Sequence, residues 1–315
     1  MLPADSTPFS TAMTVQSFVD AVAAAADGTA LAAACAAFAE ARRAGLPRPA
    51  GDAFRVAVAA ALRAHLQAVG DHPDYRAWLQ VYFGERRASF RSPLQQPGWL
   101  YYPSLPPQAW FETDDVPALA PLRARIAAVA AELRGWLSEP RAFAPYVEAA
   151  AARDPRWNAL AGDRRWSSIH LIRGGARDAT ALAALPHSAA LLADAPLAQC
   201  PPHAPECFVS RLFPGVVLPP HHGVSNIKLT VHLPVELPAS GCSITVGGET
   251  RQWREDDFLI FDDAFLHSAE NRADQPRTVL IFDVWHPRLH PAEREALAQA
   301  VRAIDAVMKA AGDWF

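Results

Sequence analysis

Two histidines, His221 and His267, each follow a strand-like segment at a turn. A closed antiparallel sheet would bring such segments together, and two adjacent imidazoles can bind a metal. Arg277 begins another strand-like segment, and a guanidinium binds a carboxylate in a bidentate fork. The pattern predicts a two-histidine metal site that also accepts a dicarboxylic co-substrate. The residues alone leave open that both histidines make ordinary core or surface hydrogen bonds and that Arg277 ends in solvent.

The position two residues after His221 bears on the kind of metal chemistry. Non-haem iron oxygenases usually hold iron with two histidines and one carboxylate, which appears in sequence as His-x-Asp or His-x-Glu. This chain has Gly223 at that position, so no carboxylate is available there. On this motif alone, the sequence counts against a working iron oxygenase.

The stretch from Glu206 to Pro287 is predicted to be a set of strands that position these side chains. Residues 226–233 alternate in period two, which indicates a strand with four polar side chains on one face. These side chains are Asn226, Lys228, Thr230 and His232. CSITVGGETRQW predicts a hairpin around Gly247-Gly248, DFLIF predicts a buried strand before an Asp-Asp turn, and RTVLIFDVW predicts the last strand.

The remainder of the chain is predicted to be mainly helical. Four segments between residues 14 and 87 show apolar residues at i, i+3, i+4 spacing, and further helices are predicted at 116–137, 140–152 and 290–312. Residues 92–112, rich in proline and aromatic residues, are predicted to be extended. Residues 1–12 are predicted to be frayed.

Composition excludes several classes of protein. With 315 residues and 51% hydrophobic positions, the chain can bury a substantial core. A net charge of -4 and a pI near 6.3 provide no basic surface field, so no nucleic-acid partner is expected. No apolar run approaches the roughly 20 residues of a membrane span, and no signal peptide is recognised. The expected location is cytoplasmic, with Cys200 and Cys207 as thiols.

Three segments together resemble a known family: PPHHGVSNIKLTVHLPV, WREDDFLIFDDAFLHSAENR and RTVLIFDVWHP. They are similar to the catalytic domain of the aspartyl/asparaginyl β-hydroxylases, which are iron(II)- and 2-oxoglutarate-dependent oxygenases with a double-stranded β-helix fold. In that family the third ligand position is commonly glycine and a water completes the coordination, so Gly223 agrees with it. LQQPGWLYYPSLPPQAW extends the resemblance over roughly residues 92 to 290.

The resemblance implies a role for each site residue. His221 and His267 would be the iron ligands, Arg277 and Ser210 would hold the distal carboxylate of 2-oxoglutarate, and His232 would reach the carboxylate nearest the iron. O2 would be consumed, and succinate and CO2 would be released. The hydroxylated C–H bond would belong to the β carbon of an Asp/Asn-type residue or to a related small molecule, so that the substrate is a small molecule, a peptide or a protein side chain.

Lys228 and Thr230 occupy positions where animal members of the family have arginines. Both are predicted to contact the substrate. Lys228 keeps a cation that can pair with a substrate carboxylate as a point charge, whereas Thr230 loses the charge. The alternative for Lys228 is a surface lysine on an edge strand.

The predicted fold class is α+β: an N-terminal all-helical region packed on a C-terminal double-stranded β-helix, or jelly roll, with a closing C-terminal helix. The predicted domains are residues 1–91, helical and TPR-like without a strict 34-residue period, and residues 92–315, the oxygenase domain. Two other readings stay open. One is a catalytically silent binding module whose helical region recruits a protein partner, and the other is a cupin-like binding jelly roll with further His or Glu ligands near His221.

Overall fold

A computed structural model describes residues 13–49 and 51–314 of the chain. The predicted frayed segment, residues 1–12, lies outside the described residues. By its internal contacts the chain divides into two compact units, one of Met1–Asp71 with Gln299–Phe315 and the other of His72–Ala298. This division does not coincide with the predicted domain boundary after residue 91, which stays a prediction, as does the packing of the helical region on the barrel.

The first unit begins with three of the predicted helices. These are α1 (Val15–Ala24), α2 (Gly28–Arg43) and α3 (Ala53–Val69). The first two start at N-caps: the hydroxyl of Thr14 accepts from the Ser17 amide, and the carboxylate of Asp27 accepts from the amides of the first helical turn. Their apolar stripes are buried, as the periodicity predicted.

The remaining helices include two that the sequence did not predict. Among the described residues, the remaining α-helices are α4 (Pro73–Tyr82), α5 (Ile126–Ser138), α6 (Ala179–Ala183), α7 (Pro186–Asp194) and α8 (Pro291–Ala311). The helix predicted at 140–152 is wrong. That segment holds a short strand and a 3-10 helix at Ala149–Arg153, because Pro145 cannot donate a backbone hydrogen bond and disfavours a helical residue before it.

In the part of the chain that the structure describes, twelve strands form two antiparallel sheets. In chain order they are β1 (Trp110–Phe111), β2 (Ala144–Pro145), β3 (Trp166–Arg173), β4 (Ala176–Arg177), β5 (Cys207–Leu212), β6 (Val217–His221), β7 (Lys228–Glu236), β8 (Cys242–Val246), β9 (Glu249–Arg251), β10 (Leu259–Phe261), β11 (His267–Asn271) and β12 (Arg277–Trp285). The larger sheet has the order β1-β10-β7-β12-β5-β3-β2, with β4 paired to β3. The smaller sheet has the order β6-β11-β8-β9.

The connectivity of β5 to β12 is that of a jelly roll. Along the chain, β5, β7, β10 and β12 belong to the larger sheet, and β6, β8, β9 and β11 belong to the smaller one. A chain that crosses repeatedly between two antiparallel sheets in this way forms the double-sheet jelly roll. The α+β class and the jelly roll predicted for the C-terminal part are therefore confirmed.

Strand β7 is buried on both faces, which decides where its side chains lie. Leu229, Val231 and Leu233 belong to the same apolar cluster as residues of α5 and α7. Because side chains alternate along a strand, Lys228, Thr230 and His232 lie on the opposite face, the one turned toward the smaller sheet. A second apolar cluster, with residues from both sheets, fills part of the space between them.

Two further expectations concern membrane-spanning helices and the cysteines. None of the described helices combines the length and the apolar character that crossing a membrane requires. Among the described residues there is no disulfide, and all four cysteines are buried. The cytoplasmic location stays a prediction.

Candidate functional site

The structure brings His221 and His267 together on neighbouring strands of the smaller sheet. The two residues are direct partners in the antiparallel pairing of β6 with β11. Their ring centroids lie 4.0 Å apart, with the ring planes inclined by 52°. Residues that face each other across an antiparallel pair point to the same side of the sheet, so both imidazoles enter the space between the sheets.

Hydrogen bonds fix the protonation of both rings. The Nδ1 atoms of His221 and His267 lie 2.8 Å from the carbonyl oxygens of Pro219 and Phe265. Because a carbonyl only accepts, each Nδ1 carries the proton. Burial, reinforced by the neighbouring imidazole, lowers the pKa of His221 to about 4, and burial also lowers the pKa of His267. At neutral pH both rings are neutral, with the Nε2 lone pair left for a metal.

Arg277 is a buried cation, and none of the described residues provides a carboxylate that pairs with it. Arg277 begins β12 and is only 2% exposed. Its Nε and Nη1 atoms have no hydrogen-bond partner among the described residues. The hydroxyl of Ser210, on the adjacent strand β5, is also buried without a partner there. Burial lowers the pKa of Arg277 to about 10, so it is still charged at neutral pH. Leaving such groups unpaired is costly, which indicates a site built for an anionic ligand.

Trp253, which the sequence gave no reason to single out, contacts two of the predicted cofactor-binding residues. Its indole N–H donates to Nδ1 of His232 at 3.1 Å, and its ring lies 4.8 Å from the guanidinium carbon of Arg277. Burial, followed by the charge of Arg277, lowers the pKa of His232 well below its ordinary value. Since indole only donates, the neutral His232 ring carries its proton on Nε2 and presents a donor there.

All seven residues predicted for the site line one cavity of about 600 Å³ between the two sheets, which we call the site cavity. They are Ser210, His221, Lys228, Thr230, His232, His267 and Arg277. These side chains come from five strands that are separated along the chain. The cavity therefore depends on the jelly-roll connectivity and not on any local segment.

The contacts of Lys228 differ from both expectations, the substrate contact and the exposed edge-strand position. Strand β7 has neighbours on both sides, β10 and β12, so the edge-strand alternative is wrong. The Lys228 ammonium lies 2.9 Å from Oδ1 of Asp283 and 3.0 Å from Oδ2 of Asp263. Although burial disfavours its charge, the two carboxylates raise the pKa of Lys228 above its ordinary value. The cation predicted for a substrate carboxylate thus already has two protein partners.

The glycine at the third ligand position is required by space. A Cβ atom on Gly223 would lie 2.5 Å from Cγ of Asp263, and the Gly223 amide donates to the Asp263 carbonyl at 2.6 Å. The Asp263 carboxylate thus occupies the volume that a side chain at position 223 would take. Within the described ranges, no three His, Cys, Asp or Glu residues are grouped to hold a metal. That His221 and His267 bind a metal stays a prediction.

Asp262 and Asp263 hold the turn before His267, as predicted, but neither orients that ring by a hydrogen bond. One carboxylate oxygen of Asp262 accepts from the Ala264 amide at 2.9 Å, and the other accepts from the Gln95 side chain at 2.5 Å. His267 bonds a backbone carbonyl instead. Burial, followed by the charge of Asp263, raises the pKa of Asp262 to about 8.

Comparison with protein families bears directly on this site. Residues 123–287, just over half of the chain, match the model of the family described as "Aspartyl/Asparaginyl beta-hydroxylase". The chain belongs to the aspartyl/asparaginyl beta-hydroxylase family. The matched range contains all seven predicted site residues, and the resemblance seen in the three sequence segments is confirmed.

Curated relatives match over shorter ranges. "Aspartate beta-hydroxylase domain-containing protein 2" of Mus musculus is 45% identical over 92 residues, which is 28% of this chain and 26% of that protein. "Aspartyl/asparaginyl beta-hydroxylase" of Homo sapiens is 36% identical over 133 residues, which is 42% of this chain and 17% of that protein. The chain thus spans about a quarter or less of the length of these relatives.

Among solved structures, the "Schizosaccharomyces pombe Cnp3 Cupin Domain" overlaps with 39% of this chain and 66% of its own, at 9% identity and a TM-score of 0.26. A TM-score this low does not establish a shared fold. The assignment of the jelly roll rests on the strand connectivity.

Replacing Lys228 by methionine is predicted to destabilise the protein by about 3 to 5 kcal/mol, because it leaves the buried Asp283 and the partly buried Asp263 without a cation. Urea denaturation measures the change. The chain's other lysine, Lys309, is 71% exposed and serves as the matched control, with an expected change for Lys309→Met within about 0.5 kcal/mol. Equal effects of the two substitutions would contradict the buried ion-pair assignment.

Asp262→Asn is predicted to flatten the decline in stability between about pH 5 and pH 8. A carboxyl whose pKa is raised on folding, here from 3.8 to about 8, contributes stability that is complete below about pH 4 and lost as the pH rises through about 8. The free energy of unfolding of the unsubstituted protein should fall by at least about 1.4 kcal/mol more than that of the variant. Urea denaturation at a series of pH values measures both slopes, and parallel slopes would refute the assignment.

Proposed function

We propose that the protein is an iron(II)- and 2-oxoglutarate-dependent dioxygenase that hydroxylates a C–H bond. One observation carries the proposal: two neutral imidazoles with available Nε2 atoms share a cavity with a buried guanidinium whose Nε and Nη1 atoms have no partner among the described residues. The imidazole pair suits a metal, and the guanidinium suits an anion. The family membership supports the same conclusion, since its name is that of a hydroxylase.

The residues present fit an iron(II) ion. His221 and His267 would hold it through Nε2, because their Nδ1 atoms are committed to backbone carbonyls. Imidazole is a suitable ligand for iron, and two protein ligands leave positions open for small molecules. When bound, the iron supplies the activation of O2 that oxidation of a C–H bond requires.

The residues also fit a dicarboxylate. Arg277 and Ser210 would bind the carboxylate of 2-oxoglutarate far from the metal, since Nε and Nη1 of Arg277 and the Ser210 hydroxyl have no other partner among the described residues. His232 would donate from Nε2 to the other carboxylate, and Trp253 holds that ring in the required tautomer. The three side chains together orient the co-substrate before the reaction begins.

The proposed reaction balances without another reductant. 2-Oxoglutarate loses CO2 and becomes succinate, whose new carboxylate takes one atom of O2, while the other atom enters the substrate C–H bond to give an alcohol. The chain binds and orients both substrates, and the burial of Arg277, Ser210 and His232 keeps water from these groups.

We also propose a cytoplasmic location and a protein partner for the helical region.

The catalytically silent binding module is the alternative. A site released from chemistry has no reason to keep a buried arginine and a buried hydroxyl both without partners, which favours the enzyme. The cupin-like reading calls for further His or Glu ligands near His221, and the described residues provide no such group.

Binding of iron(II) and of 2-oxoglutarate should be separable by substitution. His267→Ala is expected to abolish stoichiometric iron(II) binding, because one of two protein ligands is lost. Arg277→Met should leave iron binding in place and weaken 2-oxoglutarate binding about 100-fold, since a charge-assisted pair is removed. Anaerobic calorimetry and the visible charge-transfer absorption of the iron–2-oxoglutarate complex measure the two steps.

Arg272→Met is the matched control for this experiment. Arg272 lies on the same barrel, is 74% exposed and pairs with Glu270, so its loss should change neither affinity. If the unsubstituted protein binds no 2-oxoglutarate with iron(II) present, the proposed function is wrong.

Trp253→Phe is expected to weaken 2-oxoglutarate binding about 5- to 10-fold and to leave iron(II) binding unchanged. Phenylalanine keeps an aromatic ring beside Arg277 but lacks the N–H that sets the His232 tautomer. Calorimetry of the iron-loaded protein measures this effect, and thermal denaturation checks that the fold is intact. If the variant loses affinity for iron(II) as much as for 2-oxoglutarate, Trp253 is only a packing residue.

A further inference from the structure

The site cavity contains few positive charges for a substrate. Among the described residues that line it, Lys228 and Arg277 are the two lysine or arginine side chains. Arg277 is buried, as are Ser210 and His232, and the proposed function assigns these three side chains to 2-oxoglutarate. Of these two cations, Lys228 alone is left to attract an acidic substrate.

Lys228 is neutralised by the protein itself. Its ammonium is within 3.0 Å of carboxylate oxygens of both Asp263 and Asp283. The second oxygen of Asp283 accepts from the Glu206 amide at 2.9 Å, and the Glu206 side chain also lines the cavity. A substrate carboxylate beside Lys228 would therefore meet the buried carboxylate of Asp283 and the partly buried carboxylates of Asp263 and Glu206, against one positive charge. Such like-charge contacts select against an acidic ligand.

The wall next to the paired histidines is aromatic instead. The rings of Tyr146 and Trp166 stack at 4.2 Å, Phe208 lies 5.2 Å from Tyr146, and Trp157 lies 4.9 Å from the imidazole of His221. We call these four side chains the aromatic wall. Tyr146 is 39% exposed although it is large and largely apolar, so part of the wall is open for contact.

We propose that the substrate group bound beside the paired histidines is uncharged and apolar, and that Lys228, Asp263 and Asp283 exclude acidic groups. The inference rests on the proposed function and specifies its substrate class. It departs from the aspartyl side chain that the family resemblance implies. The aromatic wall supplies dispersion contacts for such a group, and the neutralised lysine removes the cation that an aspartyl carboxylate would need.

Two of the carboxylates that line the cavity, those of Asp283 and Glu206, are already bound within the protein. Both oxygens of Asp283 have partners in the protein. Glu206 accepts from the Gly174 amide at 2.5 Å and lies 3.6 Å from the His170 ring. These groups are committed to the protein, whereas the rings of the aromatic wall are available.

Three probes of one shape and different charge test the proposal: 3-phenylpropionamide, 3-phenylpropionate and 3-phenylpropylammonium. Calorimetry measures their dissociation constants for the protein loaded with manganese(II) and 2-oxoglutarate, so that no turnover takes place. The amide is expected to bind at least 10-fold more tightly than either charged probe. If the acid or the amine binds as tightly as the amide, or if the amide does not bind, the proposal is overturned.

Asp283→Asn tests the role of the ion pairs. It leaves Lys228 with one carboxylate, so the preference for the amide over the acid should fall at least fivefold. Asp305→Asn, which alters a carboxylate paired with the exposed Lys309, is the matched control and should leave the preference unchanged. An unchanged preference in Asp283→Asn would refute the exclusion by the ion pairs. Should that variant not fold, Asp263→Asn removes the other carboxylate. The same fall in preference is then expected, and an unchanged preference would again refute the exclusion.

The same samples separate this inference from the proposed function. Titration of 2-oxoglutarate into the manganese-loaded protein is measured before any probe is added. If 2-oxoglutarate does not bind, the proposed function and this inference fall together. If it binds and the acidic probe is preferred, the inference alone is wrong.

Discussion

The antiparallel pairing of β6 with β11 is the constraint on which the site depends. It sets His221 opposite His267, with ring centroids 4.0 Å apart, although the two residues belong to different segments of the chain. A slip of one residue in this register would turn one imidazole to the other face of the sheet. The backbone carbonyls that bond each Nδ1 complete the arrangement, because they leave both Nε2 atoms available.

The second constraint is the burial of β7 on both faces. One face joins the apolar cluster that includes α5, and the other presents polar side chains to the site cavity. A lysine on such a face must have its charge balanced, and Asp263 and Asp283 provide this balance. The same ion pairs that stabilise the barrel therefore define the charge that an incoming substrate meets. Fold stability and substrate choice share these three residues.

The paired histidines and the face of β7 were predictable from sequence, because strand alternation is local and three segments together resemble one family. The partners of Lys228 were not, since Asp263 and Asp283 come from distant positions that only the folded barrel brings near. Trp253 was missed for a similar reason: an aromatic residue after a hairpin looks like core. Despite its alanine content, the segment 140–152 does not form the expected α-helix, because Pro145 cannot donate a backbone hydrogen bond.

The most direct measurement of the central claim is anomalous diffraction from crystals grown with manganese(II) and 2-oxoglutarate. One anomalous peak is expected within bonding distance of the Nε2 atoms of His221 and His267, with a carboxylate of 2-oxoglutarate paired to Arg277. A metal peak away from these two imidazoles, or a 2-oxoglutarate molecule that leaves Arg277 unpaired, would contradict this claim.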